Sequence, residues 1–238
     1  MRSVWTGFVW LCAIGLILLT PAAAWAEKRI ALIVGNSDYD LVSSLDNPGN
    51  DASDISVALE SLGFEVFLGL DLGRAEMDRI VAKFTEATAT ADVSMFYYAG
   101  HGFQVNGQNY LVPTDARIQE PSDVVEATVP LEQILNAMEQ GPGIKFVFLD
   151  ACRDNPFEGI ADVPVGEGLA RVGDAADFLI SFATQPGNVA LDGHGNNSPF
   201  AEAMLKHIET PGFPTIKFYF SRTIMPPSKT ASIRYPSC

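Results

Sequence analysis

Val93-Ser94-Met95-Phe96-Tyr97-Tyr98-Ala99-Gly100-His101-Gly102 is an uncharged, largely apolar run that stops at a glycine-bracketed histidine. Without an alternating polar face, residues 93–98 read as a strand buried on both sides. Ile144-Lys145-Phe146-Val147-Phe148-Leu149 repeats the pattern and leads into Asp150-Ala151-Cys152-Arg153. Working outward, 28–36 and 64–68 read as two earlier strands and Phe178–Phe182 as a fifth. Between them, apolar residues fall at helical spacing: Ile55, Leu59 and Leu62 within 51–62, and Met77, Ile80, Val81 and Phe84 within 74–87. Gly63 stops the first of these helices. A short helix is expected over 131–138 and a last one over 198–208, with Ser198 as N-cap and Pro199 at the first helical position. Alternating strand and helix argue an α/β fold: a mostly parallel sheet with helices on both faces. No internal repeat is visible, and 153–176, rich in Gly, Asp and Pro, reads as a loop.

The chain has 238 residues, 47% of them hydrophobic and 18% charged. That suits a globular protein with one sizeable core. The net charge of −14 speaks against nucleic-acid binding, which needs a basic stripe. Residues 1–26 read as an export signal: Arg2, an apolar stretch over 9–19, Pro21, and the small-x-small site Ala24-Trp25-Ala26. An uncleaved anchor is the rival, but the stretch is short of the roughly 20 residues a span needs. The mature protein is therefore expected to be periplasmic or secreted, with no stable membrane span. Cleavage removes one base and no acid, taking the charge to −15. Cys12 leaves with the signal, so Cys152 and Cys238 remain, too few for a disulfide framework.

Two central strands end in reactive residues, His101 and Cys152. In an open parallel sheet, sites form beyond the carboxyl ends of the strands, so the two loops should meet. A thiol becomes nucleophilic as thiolate, and an imidazole can take its proton. The N–H groups of Gly102 and Cys152 would then form an oxyanion hole. The bland readings stay open on the residues alone: a cysteine after an apolar strand is often a small buried hydrophobe, and a histidine in a glycine loop often has no role.

Tyr97-Tyr98-Ala99-Gly100-His101-Gly102 with Leu149-Asp150-Ala151-Cys152-Arg153 resembles the caspase-like cysteine peptidases, most closely their prokaryotic metacaspase and paracaspase relatives. Three further segments share the resemblance: Ala31 to Asn36 with Asn50-Asp51-Ala52, Tyr110 to Ala116, and Ala183 to Gly187 with Ser198-Pro199-Phe200. It runs from 28 to 212, within a catalytic domain expected over 27–212. The resemblance implies a three-layer caspase-like fold and peptide-bond hydrolysis, with His101 as general base and acid and Cys152 as nucleophile. It also implies that Asp51 and Asp150 line the pocket for an Arg or Lys before the scissile bond, because two carboxylates can hold a guanidinium by charge-assisted bonds. The competing reading makes Asp51 a helix N-terminal acid and Asp150 a loop carboxylate that orients its neighbours. The family normally continues with more helix and a closing strand. The 213–238 tail does not read that way: Pro211 to Cys238 holds Lys217, Arg222, Lys229 and Arg234 and no acid. It is either a native end or a frameshifted one.

Other candidates are weaker. Arg171 is an autocleavage point or a solvated loop residue. Asp115, Asp123 and Glu126 would serve calcium, which some metacaspases require, but their spacing matches no dedicated loop, so no metal and no cofactor is expected. His194 and His207 read as bystanders. The partner is a peptide or protein substrate with a basic residue at the cleavage site. The rival function is a catalytically silent caspase-like binding or adaptor module. A flavodoxin-like ligand receptor would need a Gly-rich phosphate loop that this chain lacks.

Overall fold

The computed structural model describes residues 27–151, 165–166, 169–170, 172, 177–183 and 195–208. Five strands form one parallel sheet: β1 (Arg29–Gly35), β2 (Phe64–Leu70), β3 (Val93–Ala99), β7 (Ile144–Asp150) and β9 (Phe178–Phe182), in the order β2-β1-β3-β7-β9. Parallel neighbours need crossovers, and helices supply them. Helix α1 (Pro48–Ser61) links β1 to β2 and α2 (Arg74–Thr88) links β2 to β3; α4 (Leu131–Glu139) precedes β7 and α5 (Pro199–Ile208) follows β9.

Strand parity makes the layers. Ile30, Leu32 and Val34 of β1, with Phe96 and Tyr98 of β3, point to one face and pack against Met77, Val81 and Phe84 of α2 and Ile134 and Met138 of α4. Ala31, Ile33, Met95 and Tyr97 point to the other and pack against Ile55 and Leu59 of α1 and Ala201 of α5. Both faces are covered, so the central strands need apolar residues at nearly every position, as the opening run has. The expected three-layer α/β architecture is what the chain adopts.

Three features differ from the sequence reading. First, α1 begins at Pro48 rather than at 51, with proline in its first turn, where a missing N–H costs nothing. Second, residues 102–111 form a hairpin of β4 (Gly102–Val105) and β5 (Gln108–Leu111), turned at Asn106 (φ 51) and Gly107 (φ 80). Successive positive φ values give the turn that suits the twist of a hairpin, and Asn-Gly is its usual sequence. Third, β4 and β5 join β6 (Val129–Pro130) and β8 (Val165–Gly166) in a second, antiparallel sheet of order β6-β5-β4-β8. The short helix α3 (Asp123–Ala127) leads into β6. A small third core of Tyr39, Phe103, Tyr110, Val112, Ala116, Ile118 and Val124 fastens this sheet to the loop after β1.

Strand order reverses between β1 and β3, because β2 follows β1 on one side and β3 lies on the other. The chain segments leaving these two strands therefore face each other over the sheet's carboxyl edge. The Asn36 N–H donates to the Ala99 carbonyl across that gap, 3.0 Å.

Candidate active site

His101 lies at this reversal point. Ala99 is the register partner of Asp150, and the Gly100 N–H donates to the Asp150 carbonyl at 3.4 Å. His101 is two residues past Ala99, and Cys152 is two past Asp150. Segments that leave adjacent parallel strands at the same offset start about 5 Å apart. Cys152 itself lies outside the described residues, as do Arg171, His194, residues 1–26, read above as an export signal, and residues 213–238. Its neighbour is placed: a Cβ on Gly102 would lie 3.4 Å from the Ala151 Cβ.

His101 is buried, at 3% exposure, and held from three directions. Its Nε2 is 2.8 Å from the Ser43 carbonyl. A carbonyl only accepts, so Nε2 carries a proton, and the neutral form of the ring then has its lone pair on Nδ1. The Tyr39 ring lies against the imidazole, centroids 4.7 Å apart and planes tilted by 56°. The His101 backbone N–H donates to the Tyr39 hydroxyl at 2.8 Å, and the Tyr98 hydroxyl donates to the His101 carbonyl at 2.8 Å.

The two glycines beside His101 serve different ends. Gly100 has φ +151, and a Cβ there would sit 2.7 Å from the Tyr39 hydroxyl and 2.8 Å from that of Tyr98. Two phenols occupy the space a side chain would need. Gly102 opens β4 opposite Leu111. The Val112 N–H donates to the His101 carbonyl, so residues 101 and 112 stand at a hydrogen-bonding position of the ladder, although the His101 N–H goes to Tyr39, and Gly102 with Leu111 stands at a non-bonded position. The Gly102 N–H thus points away from β5.

Asp51, in the first turn of α1, and Asp150, the last residue of β7, are 0% and 1% exposed. They converge on Ser198. The Ser198 N–H donates to Asp51 Oδ1 at 2.9 Å, and its hydroxyl donates to Asp150 Oδ2. The same hydroxyl oxygen accepts the Ala201 N–H at 3.0 Å, which is the N-cap bond expected from the sequence. The two carboxylates therefore share one anchor at the positive end of the α5 dipole.

The family model described as the caspase domain matches residues 28–223. This chain belongs to the caspase-domain family. It is 30% identical over 169 residues to the human mucosa-associated lymphoid tissue lymphoma translocation protein 1, covering 70% of this chain and 20% of that one. It is 23% identical over 216 residues to caspase-1 of Rattus norvegicus, covering 81% of this chain and 50% of the other. The chain thus spans a fifth to a half of the length of these relatives. The caspase-like resemblance read from the sequence holds, and the family is one of cysteine peptidases.

In this caspase domain, the acids considered for calcium do not gather as a ligand set. Asp115, Asp123 and Glu126 line a cleft of about 250 Å³ together with Arg74 and Arg117. Asp115 accepts the Arg74 N–H at 2.7 Å, and Asp123 accepts the N–H groups of Gln119 and Glu120 at 2.8 and 3.0 Å. These are turn and helix-start contacts. Among the described residues, no three His, Cys, Asp or Glu are placed to hold a metal ion, and no helix is long and apolar enough to cross a membrane. His207 lies in the last turn of α5. Sequence reasoning missed Tyr39 and Ser43, both in the loop after β1. That loop had to face the histidine loop once the strand order was known. A backbone carbonyl such as that of Ser43 carries no side-chain signature.

Proposed function

We propose that this chain is an exported, periplasmic or secreted cysteine endopeptidase that cleaves after Arg or Lys, with His101 and Cys152 as its catalytic pair. The observation that carries the reading is the equal two-residue offset of His101 and Cys152 from the paired strand ends Ala99 and Asp150. Nδ1 of His101 takes the Cys152 thiol proton, and the thiolate attacks the substrate carbonyl carbon. The oxyanion accepts the N–H groups of Gly102 and Cys152; one such donor is worth about 10²–10³ in rate. The imidazolium then gives its proton to the leaving amine as the C–N bond breaks. Water, deprotonated by the same imidazole, hydrolyses the thioester and frees Cys152.

The paired carboxylates support the basic preference. Asp51 and Asp150 are drawn to one residue in dry surroundings, where charge-assisted bonds to a guanidinium are strong. The net charge of −14 favours basic substrates at longer range.

The test is hydrolysis of fluorogenic peptides ending in Arg, Lys or Asp, with and without calcium, by the chain and by Cys152→Ala. Cleavage after Arg or Lys that vanishes in the variant is expected. Retained activity in the variant sinks the mechanism. Silence from the folded wild-type chain favours a binding module on the same fold.

A further inference from the structure

We infer that Ser198, the N-cap of α5, is a specificity-positioning residue that sets the carboxylate pair Asp51 and Asp150 to receive an arginine in preference to a lysine. The inference rests on the proposed basic-residue pocket and adds the element that orients it.

Ser198 is 0% exposed and makes four hydrogen bonds in three directions. Its N–H reaches across to Asp51 Oδ1 on α1, and its hydroxyl proton to Asp150 Oδ2 at the end of β7. Its hydroxyl oxygen and its carbonyl accept the Ala201 and Glu202 N–H groups of α5. Three elements far apart in the chain thus meet at one side chain. The hydroxyl proton fixes the Asp150 carboxylate about its own bond, and through it where the second oxygen aims. The backbone N–H does the same for Asp51. Ser198 has one hydroxyl proton, and it goes to Asp150, so Asp150 is the carboxylate whose orientation depends on the side chain.

Orientation matters unequally to the two substrates. A guanidinium is a planar fork that matches a carboxylate only at a set angle. An ammonium is a compact charge with rotatable donors and tolerates a turned carboxylate. Loss of the Ser198 hydroxyl therefore reduces recognition of arginine more than of lysine. The reactivity of Cys152 is expected to stay, because the hydrogen bonds of Ser198 go to Asp51, Asp150 and its own helix and none goes to the imidazole.

The experiment compares wild type, Ser198→Ala and Ser198→Thr, as the full chain after export. It measures kcat/KM and KM on peptides differing only in Arg or Lys, and the alkylation rate of Cys152 by iodoacetamide. In Ser198→Ala, kcat/KM on the Arg peptide is expected to fall about tenfold, mostly through KM. The Lys peptide and alkylation are expected to stay within about twofold. Ser198→Thr, which keeps a hydroxyl, restores the Arg preference. Equal losses on both peptides, or a matching loss of alkylation, make Ser198 a helix cap only and overturn the inference while leaving the pocket standing. A wild type that cleaves neither peptide overturns the pocket and the inference together. Should Ser198→Ala not fold, Ser198→Cys keeps the volume with a weak donor, and the same Arg-to-Lys ratio decides.

Discussion

Tyr39→Phe removes one oxygen from the loop after β1, where it meets the histidine loop, and nothing else. In the native protein that oxygen accepts the buried His101 N–H at 2.8 Å, while the Tyr39 ring packs 4.7 Å from the imidazole. The variant keeps the ring and leaves the N–H without that acceptor, at a residue 3% exposed. A buried donor stripped of its partner costs about 1–3 kcal/mol. If the histidine loop relieves the cost by moving, the loss appears as misplacement of the base, and kcat/KM falls by about 5- to 150-fold at about 1.4 kcal/mol per decade. If the loop stays, the loss appears as stability, about 2–4 °C in Tm per kcal/mol for a domain of this size. The assay is kcat/KM on an Arg peptide alongside a thermal melt, with Cys152 alkylation against pH as a readout of the imidazole that needs no substrate. A variant within about twofold of wild type in rate and unmoved in Tm refutes the claim that Tyr39 positions His101.

Further expectations follow from neighbouring contacts. Gly100→Ala puts a Cβ 2.7 Å from one phenol oxygen and 2.8 Å from another at φ +151, so it should lower stability by about 1–3 kcal/mol, read as a Tm drop with hydrolysis lost in parallel. Asp150→Ala should weaken cleavage after Arg far more than alkylation of Cys152; equal losses would make Asp150 a support for the cysteine instead. Burial, with the Glu132 charge second, raises the Tyr110 phenol above its ordinary 10.0. The folded state therefore holds that proton more tightly, and its contribution is full below pH 10 and lost as pH rises through the raised value. Urea midpoints should fall as pH rises above 10.0, and Tyr110→Phe should flatten part of that fall.

The strands that build the layers could be read in advance because a doubly covered sheet demands apolar residues on both faces. Ile30 to Val34 and Met95 to Tyr98 show that demand in one dimension. The 102–111 hairpin was harder. Its strands are four residues each, and the clue was confined to Asn106-Gly107. The glycines around His101 were visible, but no local pattern tells that Tyr39 and Tyr98 bring their hydroxyls against Gly100. Ser198 was read as a helix cap, which it is; its two carboxylate partners lie 147 and 48 residues away.

Local sequence thus carried whatever depends on periodicity, on turn chemistry or on residue type: the α/β class, the starts of α2, α4 and α5, and a histidine and a cysteine at strand ends. What depended on strand order and register could not be carried that way, because pairing is set by the energy of the whole packed sheet. Register put Ala99 beside Asp150 and so gave His101 and Cys152 a common offset. Reversal of order between β1 and β3 turned the first loop inward, so that a carbonyl from Ser43 and a phenol from Tyr39 hold the imidazole. Closure of α5 over the sheet brought Ser198 between Asp51 and Asp150, joining three parts of the chain that share no local pattern.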